Sequence, residues 1–429
     1  MNKIDTMEMT VFTTISTDIN THLNKSRFLW IILSIVASIL LGITSCQATP
    51  NKSEDESDNR NADTPNSEAC CTIEYTATQK ITPKLKGHSP SNNNYKDPDC
   101  DFKVLSHDFN PETGRGVITL DRPMKVIAVG AFATCEEMTS ITIPTSVTTI
   151  KDGAFVECNG LTELYIPDSV TEIGKGAFMR CENLKEVRLS NNITTIPYEL
   201  FYFSEGLERV TIPEGVTSIG DKAFFGCESL RYMHIPESVT EIGDLVFYRC
   251  TSLKAFTGKF ATDDLCALIV GDRLAAFANG RNISSYTIPS EVSVIESGLM
   301  ASNEHITSLT LNDNIKLLGY DCFDCPNLKQ VYCNIATPPY TKKGTFHRNH
   351  LEPDGGQYYQ DDRALRMCLS IHYIIDWSGF GDLPYNYEEM NDDEKLKIYI
   401  PKGSLDKYTN HEDEYHNGWN EYKTCFVEM

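Results

Sequence analysis

Hydrophobic and polar positions follow one pattern that repeats every twenty-three residues between about residues 126 and 335. In a representative copy, Leu164 and Ile166 alternate with Glu163 and Tyr165. This two-residue period is typical of a β-strand that buries one face. A fixed repeat of this length indicates one supersecondary unit stacked many times, because no single unit buries its hydrophobic face alone.

The remaining positions of the copy predict how the chain returns to the next strand. Pro167 has no N–H group to donate and therefore ends the strand. Val170 and Ile173 are expected to point inward on the following segment, and Gly174 to permit a tight turn, left-handed if required. The run from Ala177 to Cys181 then forms a short helical or 3₁₀ arc with its apolar side chains on one side.

Phenylalanine marks one phase of the repeat. It occurs in six successive copies, each twenty-three residues after the last, at Phe132, Phe155, Phe178, Phe201, Phe224 and Phe247. Stacked coils place equivalent side chains above one another, so these rings are predicted to form one buried column.

Beyond these six copies the pattern continues with changes. Seven extra residues enter around the hairpin-turn pair Gly271-Asp272, and the next phenylalanine of this phase is Phe277. Met300 takes its place in the following copy. Nine repeat strands are predicted, which begin near Met138, Leu161, Leu184, Leu207, Leu230, Leu253, Ile283, Ile306 and Leu328.

The flanks carry elements that could cover the ends of the solenoid, where an open strand edge invites aggregation. Upstream, residues 102–105 and 116–120 alternate like strands. Downstream, residues 396–401 copy the repeat strand after a long insertion. Helical residues through Tyr408 and Trp419 are expected to seal the far end.

The chain contains fifteen cysteines, which in an exported protein would suggest disulfides. Side chains on adjacent rungs, about 4.8 Å apart, do not bring Cβ atoms to the roughly 3.5–4.5 Å that a disulfide needs. We therefore predict buried free thiols for the column of Cys135, Cys158, Cys181, Cys227 and Cys250, in which Ser204 replaces one cysteine. No redox state is assigned to Cys70, Cys71, Cys100, Cys368 and Cys425.

The formal net charge of -22 argues against nucleic acid as a partner, since phosphates would repel the chain. Near the start, Lys25 and Arg27 precede an apolar run at 28–43, which suits a signal sequence and is short for a membrane span. The run leads to Leu41-Gly-Ile-Thr-Ser-Cys46, which resembles a bacterial lipobox, and this resemblance implies lipid attachment at Cys46. An uncleaved signal anchor is the alternative.

Residues 46–70 are rich in Asn, Ser, Asp, Glu and Pro and cannot bury enough apolar surface to order themselves. The expected organisation is therefore a lipoprotein signal peptide, a disordered tether, an N-terminal β cap, a solenoid, an insertion and a C-terminal capping repeat, at 1–45, 46–70, 71–125, 126–335, 336–395 and 396–429.

The combination Leu-x-x-Leu-x-Ile-Pro, Val-x-x-Ile-Gly and Ala-Phe-x-x-Cys at this period, clearest at 161–181, resembles the BspA-like leucine-rich-repeat family. The resemblance implies a right-handed solenoid with a parallel β-sheet on its concave side and short 3₁₀ or helical arcs on its convex side. It also implies a protein tethered to the bacterial cell envelope, on the outer-membrane surface, and adhesion to host or bacterial surface proteins, glycoproteins included.

In leucine-rich repeats the outward strand positions line the concave face, and here they form two columns at the third and fifth positions of the copies. The ends of both columns are small, from Ser140 and Thr142 to Ala255 and Thr257. The middle holds side chains typical of binding hot spots, and these are the candidate ligand-binding residues: Glu163, Tyr165, Glu186, Arg188, Arg209, Tyr232 and His234. The alternative is that mixed charges only solvate an exposed sheet and pair across rungs.

No catalytic motif, phosphate loop or paired metal-binding cysteine motif is found, so the chain is predicted to be no enzyme and to need no cofactor or metal. His347 and His350 could ligate zinc on a helix, but Pro353 limits that helix and a solvated loop is the preferred interpretation. Besides protein binding, two functions remain open: glycan capture at the cell surface, with Tyr and Trp stacking on sugars, and a passive structural spacer in the envelope.

Overall fold

The computed structural model describes residues 71–87, 99–319, 321–335, 337–341, 396–409, 419 and 425–429. All of them lie in one compact unit, Pro65–Met429. Several predictions fall outside the described residues. They concern the signal peptide, the tether, most of the insertion, and Cys46, Cys70, Cys368, His347 and His350.

Each coil contributes two short strands to the solenoid. The chain opens with β1 (Thr72–Ala77), β2 (Val104–Asn110) and β3 (Arg115–Leu120), and the coils follow as β4 (Val126–Ile127), β5 (Met138–Thr142), β6 (Thr149–Ile150), β7 (Glu163–Tyr165), β8 (Glu172–Ile173), β9 (Glu186–Arg188), β10 (Thr195–Ile196), β11 (Arg209–Thr211), β12 (Ser218–Ile219), β13 (Tyr232–Ile235), β14 (Glu241–Ile242), β15 (Ala255–Gly258), β16 (Ala267–Val270), β17 (Arg273–Phe277), β18 (Ser285–Thr287), β19 (Val294–Ile295), β20 (Ser308–Leu311), β21 (Leu317–Leu318), β22 (Gln330–Cys333) and β23 (Tyr340–Thr341). The last elements are β24 (Lys397–Ile400), α1 (Leu405–Thr409) and β25 (Phe426–Glu428).

The first ladder consists of the predicted repeat strands, and all nine are present. They pair in parallel as β7–β9–β11, β13–β15 and β18–β20–β22. After β5, each strand begins two residues later than the sequence predicts. The reason is that the first leucine closes a turn; the N–H of Leu161 donates to the carbonyl of Cys158 at 3.0 Å.

A second ladder, which the sequence analysis did not predict, runs along the Val-x-x-Ile segments. It pairs in parallel as β4–β6–β8, β10–β12–β14 and β17–β19–β21–β23. Val170 and Ile173 are buried here, as predicted. Gly174 is not left-handed. It is required because a Cβ atom at this position would lie 2.4 Å from the backbone nitrogen of Asp152 in the preceding coil.

The arcs that close each coil are hydrogen-bonded turns, and the expected helical or 3₁₀ conformation is absent from those described. The N–H groups of Phe178 and Arg180 donate to carbonyls of the next coil, at Leu200 (3.1 Å) and Tyr202 (2.8 Å). Arg180 has a φ of 54°, a left-handed conformation that a helix does not contain. The N–H groups of the arc therefore alternate between acceptors in the next coil and local turn acceptors, as Met179 donates to the carbonyl of Gly176 at 3.1 Å.

The six repeat phenylalanines form the predicted column. Adjacent rings stack with centroids 5.1–5.8 Å apart and planes within 21° of each other. Every ring is at most 4% exposed. The stack ends at Phe247, where Phe256 packs edge-on at 5.2 Å.

The cysteines beside this column form a hydrogen-bond ladder of free thiols. Cys158, Cys181, Cys227 and Cys250 each donate their S–H to the phenylalanine carbonyl one coil earlier, as Cys181 does to Phe155 at 3.1 Å. Ser204 occupies the same position in its coil. Its hydroxyl donates to the carbonyl of Phe178 at 2.8 Å, and its oxygen accepts the N–H of Cys181 at 3.2 Å. The position therefore selects a small donor, which explains why serine replaces cysteine once.

The hydrophobic core has two large clusters that divide at the hairpin β16–β17, and a small third cluster of Val156, Met179 and Tyr202. The first cluster extends from Ile73 to Ala278, and the second contains Phe277 together with the later coils. Phe277 does not continue the ring stack; it meets Tyr286 edge-on at 4.8 Å. The seven extra residues of this copy therefore interrupt the aromatic column, although stacking of coils resumes after it.

Both ends of the solenoid carry additional strands. At the N-terminal end, β1 pairs antiparallel with β3 and β5, and β2 extends this sheet. At the other end, β24 and β25 add to the first ladder. Tyr408 and Trp419 are fully buried there, and the Trp419 indole N–H donates to the carbonyl of Pro339 at 2.9 Å.

Candidate binding surface on the first ladder

The seven candidate residues all lie on the outward side of four neighbouring strands, β7, β9, β11 and β13. Parallel register places Glu163, Glu186 and Arg209 in one column, and Tyr165, Arg188 and Thr211 in the next. All seven candidates are exposed. Tyr165 is 50% exposed and Tyr232 is 63% exposed, although both stand on strands whose other face is core.

The third-position column contains a cross-strand ion pair. The Arg209 guanidinium contacts the Glu186 carboxylate at 2.6 Å, with side chains 76% and 52% exposed. At that exposure the pair contributes little to stability, about 0–1 kcal/mol. Its effect is to hold both side chains in a fixed arrangement on the sheet.

The fifth-position column holds a cation–π contact. The Arg188 guanidinium lies over the Tyr165 ring, 4.9 Å from its centroid. Stacking orients the guanidinium plane while leaving its N–H groups available. On β13, Nδ1 of His234 lies 3.0 Å from the hydroxyl oxygen of Thr257 on β15, so the neighbouring strand also holds this imidazole.

A further column, one position before the third, was missed by the sequence analysis. It contains Lys185, Glu208, Arg231 and Lys254, and Arg231 pairs with Glu208 at 3.2 Å. The signal that could have found it is the same period, because these residues also recur every twenty-three positions. The alternation of buried and exposed residues marks only the positions from the third onward, and this column lies one position before them.

One predicted outward position is not exposed. Ala255 is in register with Tyr232 on the outward side of β15, but it is only 9% exposed. The chain after β15 folds back beside this strand, where the N–H of Phe256 donates to the carbonyl of Leu265 at 3.0 Å. The exposed surface is therefore bounded on this side by the turn that leads into the hairpin β16–β17.

The charges of this surface are unevenly satisfied. From β9 to β15 the second, third and fifth positions hold five Lys or Arg residues and two Glu residues. Both glutamates, Glu186 and Glu208, are paired with arginine. Among the described residues, Lys185, Arg188 and Lys254 have no carboxylate within ion-pair distance.

Comparison with known proteins explains this architecture. The profile of the BspA type leucine-rich-repeat region matches residues 118–257 and 273–352, in six copies that span just over half of the chain. The chain belongs to the BspA-type leucine-rich-repeat family. The resemblance inferred from the sequence is thereby confirmed, and so is the solenoid fold. No curated protein matches the chain.

Solved structures of bacterial leucine-rich-repeat proteins are similar to this chain. A leucine-rich cell surface protein from Faecalibacterium prausnitzii A2-165 is 24% identical over 53% of this chain and 75% of its own, with a TM-score of 0.43. A leucine-rich-repeat protein from Bacteroides ovatus ATCC 8483 is 21% identical over 55% and 71%, with a TM-score of 0.35. The leucine-rich-repeat protein of T. pallidum is 20% identical over 51% and 85%, with a TM-score of 0.30.

The signature of the BspA-type family lies in the core and not on the candidate surface. Phe178 and Cys181, which carry the motif, are fully buried. Burial raises the pKa of the Cys181 thiol to about 12 and that of Cys135 to about 11. Such thiols stay protonated at neutral pH and are poor nucleophiles. Family membership identifies a repeat scaffold of the kind that binds proteins, while the ligand depends on the exposed columns.

Two further properties concern only the described part of the chain. Within it, no three His, Cys, Asp or Glu side chains come close enough to share a metal ion. No helix within it, α1 included, combines the length and apolar character needed to cross a bilayer.

Proposed function

We propose that this protein is a non-enzymatic, surface-anchored scaffold that binds extracellular or surface proteins, glycoproteins included, through the exposed columns of its first ladder. The observation that carries the proposal is the set of ordered, exposed Tyr and Arg side chains on β7–β13. Tyr165 and Tyr232 present large apolar rings to solvent, and neighbouring rungs hold Arg188 and Arg209 in place. Side chains ordered before binding lose little entropy on contact, which favours affinity.

The anchoring part of the proposal rests on the sequence of the leader. Lipid attached to Cys46 would tether the solenoid to the bacterial envelope, at the outer-membrane surface, with residues 46–70 as a flexible spacer. In cells fed radiolabelled palmitate, the full chain should acquire label and fractionate with membranes. The Cys46→Ala variant should lose the label, and an unchanged label would exclude lipidation at this cysteine.

Binding is tested with the double variant Tyr165→Ala/Arg209→Ala. The immobilised full-length protein should capture proteins from an extracellular-matrix extract, and the variant should capture at least about tenfold less, as expected for hot-spot side chains. The matched control is Tyr340→Ala/Arg115→Ala. Tyr340 is 49% exposed on the second ladder, and Arg115 forms an exposed pair with Glu74. Equal capture by both variants would remove the first ladder as the binding surface.

Glycan capture is the second candidate function, because exposed Tyr165 and Tyr232 rings could stack on sugars. Enzymatic deglycosylation of the extract before capture separates the two candidates. Protein binding predicts that capture persists after the treatment, whereas glycan binding predicts its loss. A passive spacer predicts no specific capture in either case.

A further inference from the structure

The proposed binding surface holds five Lys or Arg residues on β9 to β15 against three carboxylates, those of Glu186, Glu208 and, on the adjoining β7, Glu163, in a chain whose formal net charge is -22. Glu186 and Glu208 are each occupied by an arginine on the next strand, at 2.6 and 3.2 Å. The unpaired cations Lys185, Arg188 and Lys254 lie on the same surface, and all three are exposed. The excess charge therefore faces solvent and is available to a partner.

Acidic residues border this positive strip on both sides. Glu182 and Glu205 lie in the turns before β9 and β11, and Glu214 and Glu237 lie in the turns after β11 and β13; all four are exposed. A broad acidic surface would be repelled by these borders. A narrow acidic segment that runs along the strip, across the strands, would avoid these borders and contact the cations beside two glutamates that arginines already neutralise.

The length of the strip sets the length of the segment. The strip crosses four strands of the first ladder, β9, β11, β13 and β15. At about 4.8 Å between neighbouring strands, it spans about 14 Å. An extended chain advances about 3.3 Å per residue, so roughly four or five residues cover this distance. Tyr232 lies within the strip and is 63% exposed, which provides an apolar contact beside the charges.

We infer that the protein partner presents a short, extended acidic segment of about four or five residues, which lies across β9–β15 and pairs its carboxylates with Lys185, Arg188 and Lys254. This inference rests on the proposed function, because it specifies the partner of the same surface. Arg188, on the first strand of the strip, is the main contact. Its guanidinium is held by Tyr165 and can donate two parallel N–H bonds to a carboxylate, the geometry that arginine favours.

The test selects random twelve-residue peptides displayed on phage against the immobilised full-length protein, with three versions in parallel. The first is the wild type. The second, the first-ladder variant, is Lys185→Glu/Arg188→Glu/Lys254→Glu. The control, Lys103→Glu/Lys125→Glu/Lys402→Glu, makes the same charge change at three lysines that are exposed elsewhere. The strongest peptide is then synthesised, and its affinity is measured at low and high NaCl concentration.

We expect the wild type and the control to enrich peptides with clustered Asp and Glu. The selected peptide should bind at least about tenfold more weakly to the first-ladder variant, and also at high salt. Enriched peptides without acidic clusters, or undiminished binding by the first-ladder variant, would overturn the inference while leaving protein binding intact. The absence of any enriched peptide, with binding only to acidic glycans on an array, would overturn both. Sedimentation of the wild type as a dimer that the first-ladder variant dissociates would assign the strip to a second copy and also overturn the inference.

Discussion

The thiol of Cys158 donates a hydrogen bond to the backbone carbonyl of Phe132 in the preceding coil, with 3.1 Å between sulfur and oxygen. The same carbonyl also accepts the N–H of Cys135 at 3.1 Å. The cysteine and phenylalanine columns are therefore one structure, in which the thiols of Cys158, Cys181, Cys227 and Cys250 link each coil to the phenylalanine-bearing arc of the coil before it. The ladder accounts for a repeated, buried cysteine that forms no disulfide.

Ser204 provides a direct test of this ladder. Ser204→Cys retains a donor toward Phe178 and should cost less than about 1 kcal/mol, whereas Ser204→Ala should cost about 1–3 kcal/mol. The alanine variant removes the donor to Phe178 and also the acceptor for the N–H of Cys181, which is buried. Urea unfolding of both variants measures the difference. Equal stability of the cysteine and alanine variants would show that the hydrogen bonds contribute nothing.

The buried thiols also predict a pH dependence. Burial raises the pKa of Cys135 from its ordinary value of 9.0 to about 11, and burial raises the pKa of Cys158 and Cys227 as well. Between these values the unfolded chain has released thiol protons that the folded chain retains. The free energy of unfolding therefore falls as pH rises from about 9 to 11, and the thiol contribution is fully present below pH 9.

Unfolding in urea at pH 8.0 and 10.5 checks this sign. Lysines and tyrosines also titrate in this range, so the comparison needs a variant in which the five column cysteines, Cys135, Cys158, Cys181, Cys227 and Cys250, are all serine. The wild type should lose more stability between the two pH values than the serine variant. A parallel decline in both proteins would show that the thiols are not responsible.

The sequence predicts those features of the fold that recur in every copy of the repeat. A twenty-three-residue repeat requires equivalent residues to stack, so the phenylalanine column and the nine strands could be derived without coordinates. The two-residue strands of the second ladder are too short for an alternation to show. The arcs were misassigned because the spacing from Ala177 to Cys181 fits a helical turn, whereas the left-handed φ of Arg180 leaves no mark in the sequence.

The candidate site was predictable in outline for the same reason. Residues that are one repeat apart lie side by side on neighbouring strands. Glu186 therefore lies beside Arg209, and Tyr165 beside Arg188. Which of these neighbours pair depends on side-chain rotamers, which the period does not determine. The burial of Ala255 depends on a chain reversal specific to one copy, and a repeat pattern carries no information about its exceptions.

Phe178 tests the contribution of the ring column to stability. Phe178 is fully buried between Phe155 and Phe201, with centroid distances of 5.4 and 5.8 Å. Phe178→Ala should cost about 3–5 kcal/mol, because it removes a large buried side chain and leaves a cavity. Thr162→Ala, at an exposed position of the same coil, should cost almost nothing. Equal losses in urea melts of these two variants would contradict the placement of the ring in the core.

Arg273 joins the two halves of the core and provides the last prediction. It lies in β17 and is only 22% exposed; Nη1 contacts Asp244 at 3.2 Å and Glu296 at 2.8 Å, while Nη2 donates to the carbonyl of Ile242 at 2.6 Å. β14 and β17 belong to different sheets and do not pair with each other. The guanidinium therefore bridges the place where the second ladder is interrupted.

Arg273→Ala should reduce the free energy of unfolding by about 1–3 kcal/mol, since it leaves the carboxylate of Glu296 partly buried without its cation. Arg115→Ala removes an exposed pair with Glu74 and should cost about 0–1 kcal/mol. Amide hydrogen exchange adds a local measurement, because faster exchange in Arg273→Ala is expected first at Arg273 to Phe277 and at the strands beside them. Loss of stability without faster exchange at this junction would place the role of Arg273 elsewhere in the coil.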